Sequence, residues 1–140
     1  MDVERLERPV SEIMTSPART VDPEMAVTDA ARILWHEGIG ALIVETDEVA
    51  GIVTESDVVR GVCASHDPEQ LRVRELMTDL VITVGPEETI RDASVRMQDN
   101  DIKKLPVVDD TGTLVGVVTT TDIAESIAPS FDDVLAEFAE

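Results

Sequence analysis

Two short segments of this chain hold the residue types from which a ligand site is made: Gly51-Ile52-Val53-Thr54-Glu55-Ser56-Asp57 and Gly116-Val117-Val118-Thr119-Thr120-Thr121-Asp122. In each, a hydrophobic strand delivers a threonine to the start of a helix, and an aspartate follows three residues later in the first turn. Two chemistries fit that spacing. Thr-x-x-Asp is the pattern of a capping box, in which the hydroxyl accepts from the third helical amide and the carboxylate reaches back to the threonine amide. The same geometry suits a nucleotide, because amides at a helix start favour a phosphate and a carboxylate accepts two hydrogen bonds from a ribose 2′,3′-diol. The two readings are compatible. No nucleophile with a positioned base stands out and no carboxylate pair is marked apart from the acidic background, so an enzyme is not expected.

The elements that carry these segments occur twice. Val10-Ser11-Glu12-Ile13-Met14-Thr15 aligns with Val73-Arg74-Glu75-Leu76-Met77-Thr78, and Thr20-Val21-Asp22-Pro23-Glu24 aligns with Thr83-Val84-Gly85-Pro86-Glu87. Extra residues in the second copy fall in the turn Asp109-Asp110-Thr111-Gly112, where insertion is cheap. Each copy reads as strand, helix, strand, strand, helix. The first has a strand at Arg19-Thr20-Val21 and a helix opened by Pro23, with apolar Ala26, Ala30, Ile33 and Leu34 at helical spacing and Gly38 as its end. Strands at Ala41-Leu42-Ile43-Val44 and Ala50-Gly51-Ile52-Val53 and a helix from about Glu55 to Ala64 complete it. The second predicts a strand at Ile82-Thr83-Val84, a helix from about Ile90 to Asn100, strands at Leu105–Val108 and Leu114–Val118, and a helix from Thr120. The boundaries read as 8–66 for the first copy, 69–128 for the second, and 129–140 for a tail. Ser65-His66-Asp67-Pro68 breaks the chain between copies. In the tail, Ser130 is a candidate cap and Phe131, Val134, Leu135 and Phe138 form one apolar stripe, with Asp132 and Asp133 near the positive end.

Composition narrows the function classes. The net charge is -19, from 30 acidic against 11 basic residues in 140. A nucleic-acid partner would need a basic stripe and is disfavoured. So acidic a chain with two lysines resembles haloarchaeal proteins, whose self-repulsion molar salt screens over about 3 Å. No apolar run approaches the roughly 18 residues of a membrane span, and no charged-then-apolar leader opens the sequence. A soluble cytoplasmic protein is the expectation. Cys63 lacks a partner for an internal disulfide and reads as a small apolar packing residue. His36 and His66 have no ligand spacing, so no metal site is expected. The apolar helices that close each copy, with the tail stripe, predict a homodimer.

At Val10-x-Glu12-Ile13-Met14-Thr15, Val73-x-Glu75-Leu76-Met77-Thr78, Leu105-Pro106-Val107-Val108-Asp109 and both Gly-x-x-Thr-x-x-Asp closings, the chain resembles the cystathionine-β-synthase (CBS) domain family, and specifically its tandem pair, the Bateman module. The resemblance covers about residues 8 to 128. It implies an α+β fold of two βαββα repeats packed through their sheets with pseudo-two-fold symmetry. It also implies two clefts for an adenosine-containing regulatory ligand: AMP, ADP, ATP or S-adenosylmethionine, with no covalent cofactor. By the same resemblance, Asp57 with Thr54 and Asp122 with Thr119 would hold ribose or phosphate. Adenine would lie near Thr15, Pro17 and Ala18 with Ala41 and Leu42, and near Thr78, Leu80 and Val81 with Lys104, Leu105 and Pro106. The alternative is a structural or dimerising module with weak or empty clefts. Where the first copy has Gly40-Ala41, the second has Lys103-Lys104, either an exposed strand entrance or a phosphate contact. Neighbouring strand residues face opposite ways, so one lysine at most is expected to reach a cleft. With that amine and the Leu-Pro-Val strand, the cleft of Asp122, Thr119 and Lys104 is expected to be the stronger one.

Overall fold

The structure, a computed structural model, describes residues 3–79, 82–128 and 135–136. Strands β1 (Thr20–Val21), β2 (Ala41–Glu45) and β3 (Val49–Thr54) form one sheet, with helix α1 (Val27–Glu37) between β1 and β2 and helix α2 (Glu55–Ala64) after β3. Helix α3 (Ile90–Asn100), strands β4 (Lys104–Val108) and β5 (Leu114–Thr119), and helix α4 (Thr120–Ile127) repeat the pattern. β2 runs parallel to β1 and antiparallel to β3, and β4 antiparallel to β5. The register shifts at Val44/Glu45 and again at Val107/Val108, so the two hairpins share even their irregularity. Among the described residues no helix is long and apolar enough to cross a membrane.

Each sheet buries alternate residues against its own helices. One core gathers Val21, Val27, Ala30, Leu34, Leu42, Val44, Val53 and Val58, and the other Val84, Ile90, Ala93, Met97, Leu105, Val107, Val118 and Ile123. Both are completed by exchange. Val10, with Ile13 and Met14 beside it, packs into the second core, and Val73, with Leu76 and Met77, into the first. Backbone bonds hold the exchanged segments: the Val10 amide donates to Glu88 O and Ile90 N to Arg8 O, while Val73 N donates to Met25 O and Val27 N to Leu71 O. Burying a valine side chain is worth about 1.5–3 kcal/mol. Val10 and Val73 are wholly buried, so each repeat is stabilised by a segment that precedes the other copy's strands and helices.

Three local expectations change. The strand predicted at Ile82-Thr83-Val84 is reduced to a single parallel bridge between Val84 and Val107. In the first repeat the Ile43 amide donates to Arg19 O; its counterpart Pro106 has no N–H to give, and the Thr83 carbonyl is taken by Arg96 Nη1 at 2.9 Å. The first helix starts at Val27 and not at Pro23, because Pro23 O and Met25 O accept from Arg74 and Val73 of the exchanged segment. Ala26 is its N-cap residue, and Gly38, with φ 65°, ends it as expected. Cys63 is exposed, not packed: α2 turns Val58 inward, and five residues on at 100° each puts Cys63 about 140° round the helix. Of the tail stripe, Leu135 is described and half-exposed; Ser130, Phe131, Asp132, Asp133, Val134 and Phe138 lie outside the described residues.

Candidate functional site

Both Thr-x-x-Asp segments form the capping box their spacing predicts. Thr54 Oγ1 accepts from Asp57 N at 3.3 Å while Asp57 Oδ2 accepts from Thr54 N at 2.9 Å. The corresponding distances at Thr119 and Asp122 are 3.1 and 2.9 Å. Each box engages one carboxylate oxygen and leaves the other. Asp57 Oδ1 accepts from Arg60 Nη2 at 2.7 Å, and the two side chains are 14% and 72% exposed respectively. At Asp122 the position three residues on is Glu125, and Oδ1 has no such partner among the described residues.

The exchanged segments bring the other wall to each box. Ile52 pairs with Thr78, the two amides and carbonyls bonding at 3.2 and 2.9 Å; Thr15 and Val117 do the same at 2.8 and 3.0 Å. The glycines of the two motifs permit this approach. A Cβ on Gly51 would lie 2.8 Å from Thr78 O and 2.9 Å from Met77 Sδ, and one on Gly116 would lie 2.8 Å from Thr15 O and 2.7 Å from Met14 Sδ.

Between Asp57 and the second repeat lies a cavity of about 280 Å³. Its lining joins Ile52, Thr54, Ser56 and Asp57 of the first repeat to Thr78, Ile82, Ile102, Lys103, Lys104 and Pro106 from beyond the break. This size is near the lower end of small-ligand pockets. Lys104 crosses toward the first repeat, its Cε and Nζ 3.6 and 3.7 Å from where a Cβ on Gly40 would stand. The two-fold counterpart of this cleft carries Thr119 and Asp122 opposite Thr15, with Gly40 and Ala41 where the lysines stand, Ile43 for Pro106 and Arg19 for Ile82. Arg19 is already engaged, donating from Nε to Glu37 Oε2 at 3.0 Å and from Nη1 to Thr20 O at 3.1 Å. Asp122 also lines a shallow depression with Arg8, Ile13, Glu125 and Ser126.

The structure therefore regroups the residues singled out from the sequence. Thr54, Asp57, Thr78, Lys104 and Pro106 meet in one cavity. Lys104 stands across from Asp57 and not beside Asp122, because the exchange pairs each motif with the opposite opening segment. Both lysines reach the cavity, against the expectation of one at most: β4 begins at Lys104, so Lys103 precedes the strand and escapes its alternation. Leu105 is fully buried in the second core, on the opposite side of β4 from its neighbours. Thr15, Ala41, Thr119 and Asp122 belong to the counterpart cleft. Pro17 and Ala18 follow Thr15 through a cis Ser16-Pro17 bond, with Ser16 Oγ donating to Val115 O at 2.8 Å. Leu80 and Val81 lie outside the described residues. Sequence reasoning left out Ile52, Ser56, Ile82 and Ile102, and admitted Lys103 only as an alternative to Lys104; Ile52 and Ser56 were legible as the variable positions of the motif itself.

Comparison with known proteins agrees with this frame. The family model for the CBS domain matches twice, over residues 10–63 and 73–129. The chain belongs to the CBS domain family. This CBS pair is 31% identical to the CBS domain-containing protein YhcV of Bacillus subtilis over 82% of each chain. It is 32% identical to a homoserine O-acetyltransferase of Methanohalobium evestigatum, matching 84% of this chain but 24% of that one. An uncharacterised Methanopyrus kandleri protein is 34% identical over 83% of this chain, which spans 61% of that relative's length. Among solved structures, an uncharacterised conserved protein of Pyrococcus horikoshii superposes with a TM-score of 0.80 at 27% identity, over 94% of this chain and 98% of that one. The CBS domain pair of protein MJ0100, in complex with 5′-methylthioadenosine and S-adenosyl-L-methionine, gives 0.76 at 28% identity over 84% and 93%.

Proposed function

We propose that this CBS pair is a regulatory module that senses an adenosine-containing ligand in the cleft of Asp57, rather than a catalyst. The observation that carries the reading is the meeting, in one cavity between the repeats, of a ribose-competent carboxylate on one side and two amines on the other. A ligand there would touch Thr54 and Asp57 from one repeat and Thr78, Lys103, Lys104 and Pro106 from the other, so its binding would fix their relative angle. Such a ligand acts as a signal because it binds two arrangements unequally. The adenosine ligands of the solved MJ0100 pair support the ligand class.

The test is a thermal-shift and calorimetry panel of AMP, ADP, ATP, S-adenosylmethionine and NAD, repeated with Asp57→Ala. Binding by at least one adenosine compound that the substitution weakens supports the reading; no shift with any of them overturns it. The reading includes a homodimer, supported by Val59 and Val62, exposed on one face of α2 at the spacing of successive turns. Light scattering that gives a particle of monomer mass across micromolar concentrations would exclude that part.

A further inference from the structure

Lys103 and Lys104 are the chain's two lysines, and both line the Asp57 cavity. Seven of the nine arginines are tied down: Arg8, Arg19, Arg32, Arg60, Arg74, Arg91 and Arg96 each hold a carboxylate at 2.7 to 3.0 Å, while Arg72, without an ion pair among the described residues, lies outside the cavity. Neither lysine has an ion pair or a side-chain hydrogen bond among the described residues. In a chain of net charge -19, carboxylates are abundant, yet the two adjacent ammonium groups are left for something else. The counterpart cleft has Gly40 and Ala41 at these positions, and Arg19, which stands there for Ile82, is held by Glu37. The asymmetry is therefore one of charge laid over a shared frame.

We infer that Lys103 and Lys104 are the specificity-determining residues of the Asp57 cleft, selecting a nucleoside di- or triphosphate over the uncharged nucleoside and over a sulfonium-bearing one. The inference rests on the reading of that cleft as an adenosine site and adds what the ligand must carry. An ammonium is a compact charge with three donors, suited to phosphate oxygens of varied geometry. Two of them side by side match a chain of phosphates and repel a sulfonium cation. Neither lysine side chain belongs to the two buried cores, and their strand pairing is made by backbone, so selection is separable from folding.

Calorimetry with ADP, adenosine and S-adenosylmethionine on the parent, Lys103→Ala/Lys104→Ala and Lys103→Arg/Lys104→Arg chains tests this, at a fixed KCl concentration at which circular dichroism shows each chain folded. The parent should bind ADP at least about tenfold more tightly than adenosine, the size of one charge-assisted contact. In the alanine chain that gap should close to within about threefold, because ADP loses far more affinity than adenosine does, and the arginine chain should keep most of it. Equal binding of ADP and adenosine by the parent, or a gap that survives the alanine substitutions, overturns the inference while leaving an adenosine site intact. Absence of binding by all three compounds overturns the adenosine reading itself, and this inference with it.

Discussion

Ile52, Thr54 and Asp57 meet Thr78 across the boundary between repeats just as Val117, Thr119 and Asp122 meet Thr15: the same paired bridge, the same capping box, the same glycine admitting the opposite segment. What differs is the side-chain layer above that frame. One cleft has Lys103, Lys104 and Pro106; the other has Gly40, Ala41 and Ile43. The contrast separates two roles that the motif alone confounds. Thr-x-x-Asp builds a helix start wherever it occurs, and a third copy, Thr89-Ile90-Arg91-Asp92, forms an equally good box at 3.0 Å in each direction and takes no part in the Asp57 cavity. An exchanged segment meets this box too, Thr89 bridging Pro9, so a box becomes a candidate site only where a cavity opens between it and the other repeat, and a charged one where that repeat supplies amines.

The largest expected effect separates the two carboxylates. Removing a carboxylate that accepts from a ribose hydroxyl costs about 1.5–3 kcal/mol, or roughly 10- to 150-fold in affinity. Asp57→Ala should weaken the dominant calorimetric event by that factor, whereas Asp122→Ala should leave it within about threefold. Both lose the reciprocal bond that the carboxylate accepts from the N-cap amide, so their melting temperatures should fall by similar small amounts. Equal loss of affinity in the two variants would erase the distinction between the clefts.

Next in size is a test of the shared frame. Gly51→Ala and Gly116→Ala each place a methyl group under 3 Å from a backbone carbonyl and a methionine sulfur. Overpacking of this kind costs about 1–3 kcal/mol. A cost of 1 kcal/mol corresponds to about 2–4 °C in a chain of this size. The two variants should lose similar amounts by thermal melt, and Gly51→Ala should also weaken the ligand, since Thr78 is part of that wall. A clear difference between their melting temperatures would show that the frame is not symmetric.

These expectations bear on what the chain's sequence discloses. The repeat, the hairpins and the helices α2 and α3 follow from patterns local to each copy, because burial alternates along a strand and capping lies within four residues. The partnership of Asp57 with Lys104 was not legible, since nothing in either repeat says that Val10–Thr15 and Val73–Thr78 complete each other's cores. The fading of the first strand of the second repeat was legible in retrospect: Pro106 removes the amide that Ile43 uses. The glycine that opens each motif reads locally as a strand glycine, and its reason is tertiary.

A smaller effect distinguishes the repeats through pH. Glu88 accepts from Arg96 at 2.8 and 3.0 Å and from the Gly85 amide at 2.7 Å, and the guanidinium hydrogen bond holds its pKa down from 4.5 to about 2. The counterparts in the first repeat are Met25 and Ile33, so nothing equivalent titrates there. Because the folded-state value is depressed, the contribution is complete above about pH 4.5 and is lost as pH falls toward 2. The carboxylate is 38% exposed, and solvent screening reduces its worth to about 1 kcal/mol. Parent melting temperature should therefore drop further between pH 5 and 2 than that of Glu88→Gln, as read by circular dichroism. Parallel curves would place the acid sensitivity elsewhere.

The smallest expected effect concerns Arg60, which holds the one oxygen of Asp57 that the capping box leaves. A ribose hydroxyl approaching Asp57 Oδ1 must share that oxygen with Arg60 or displace it. An exposed ion pair of this kind is worth about 0.2–1 kcal/mol, so its removal should change affinity by a factor of about 1.5 to 5. Arg60→Ala should raise affinity, because the carboxylate is then free before the ligand arrives. Glu125→Arg should place the same contact on Asp122 and leave the dominant binding event untouched, since that event belongs to the other cleft. A fall in affinity with Arg60→Ala would mean that the guanidinium joins the lysines in holding the anion, making three cations and not two the basis of the difference between the clefts. A change in the dominant event with Glu125→Arg would instead mean that the two clefts are coupled, and that the charge on one is felt at the other.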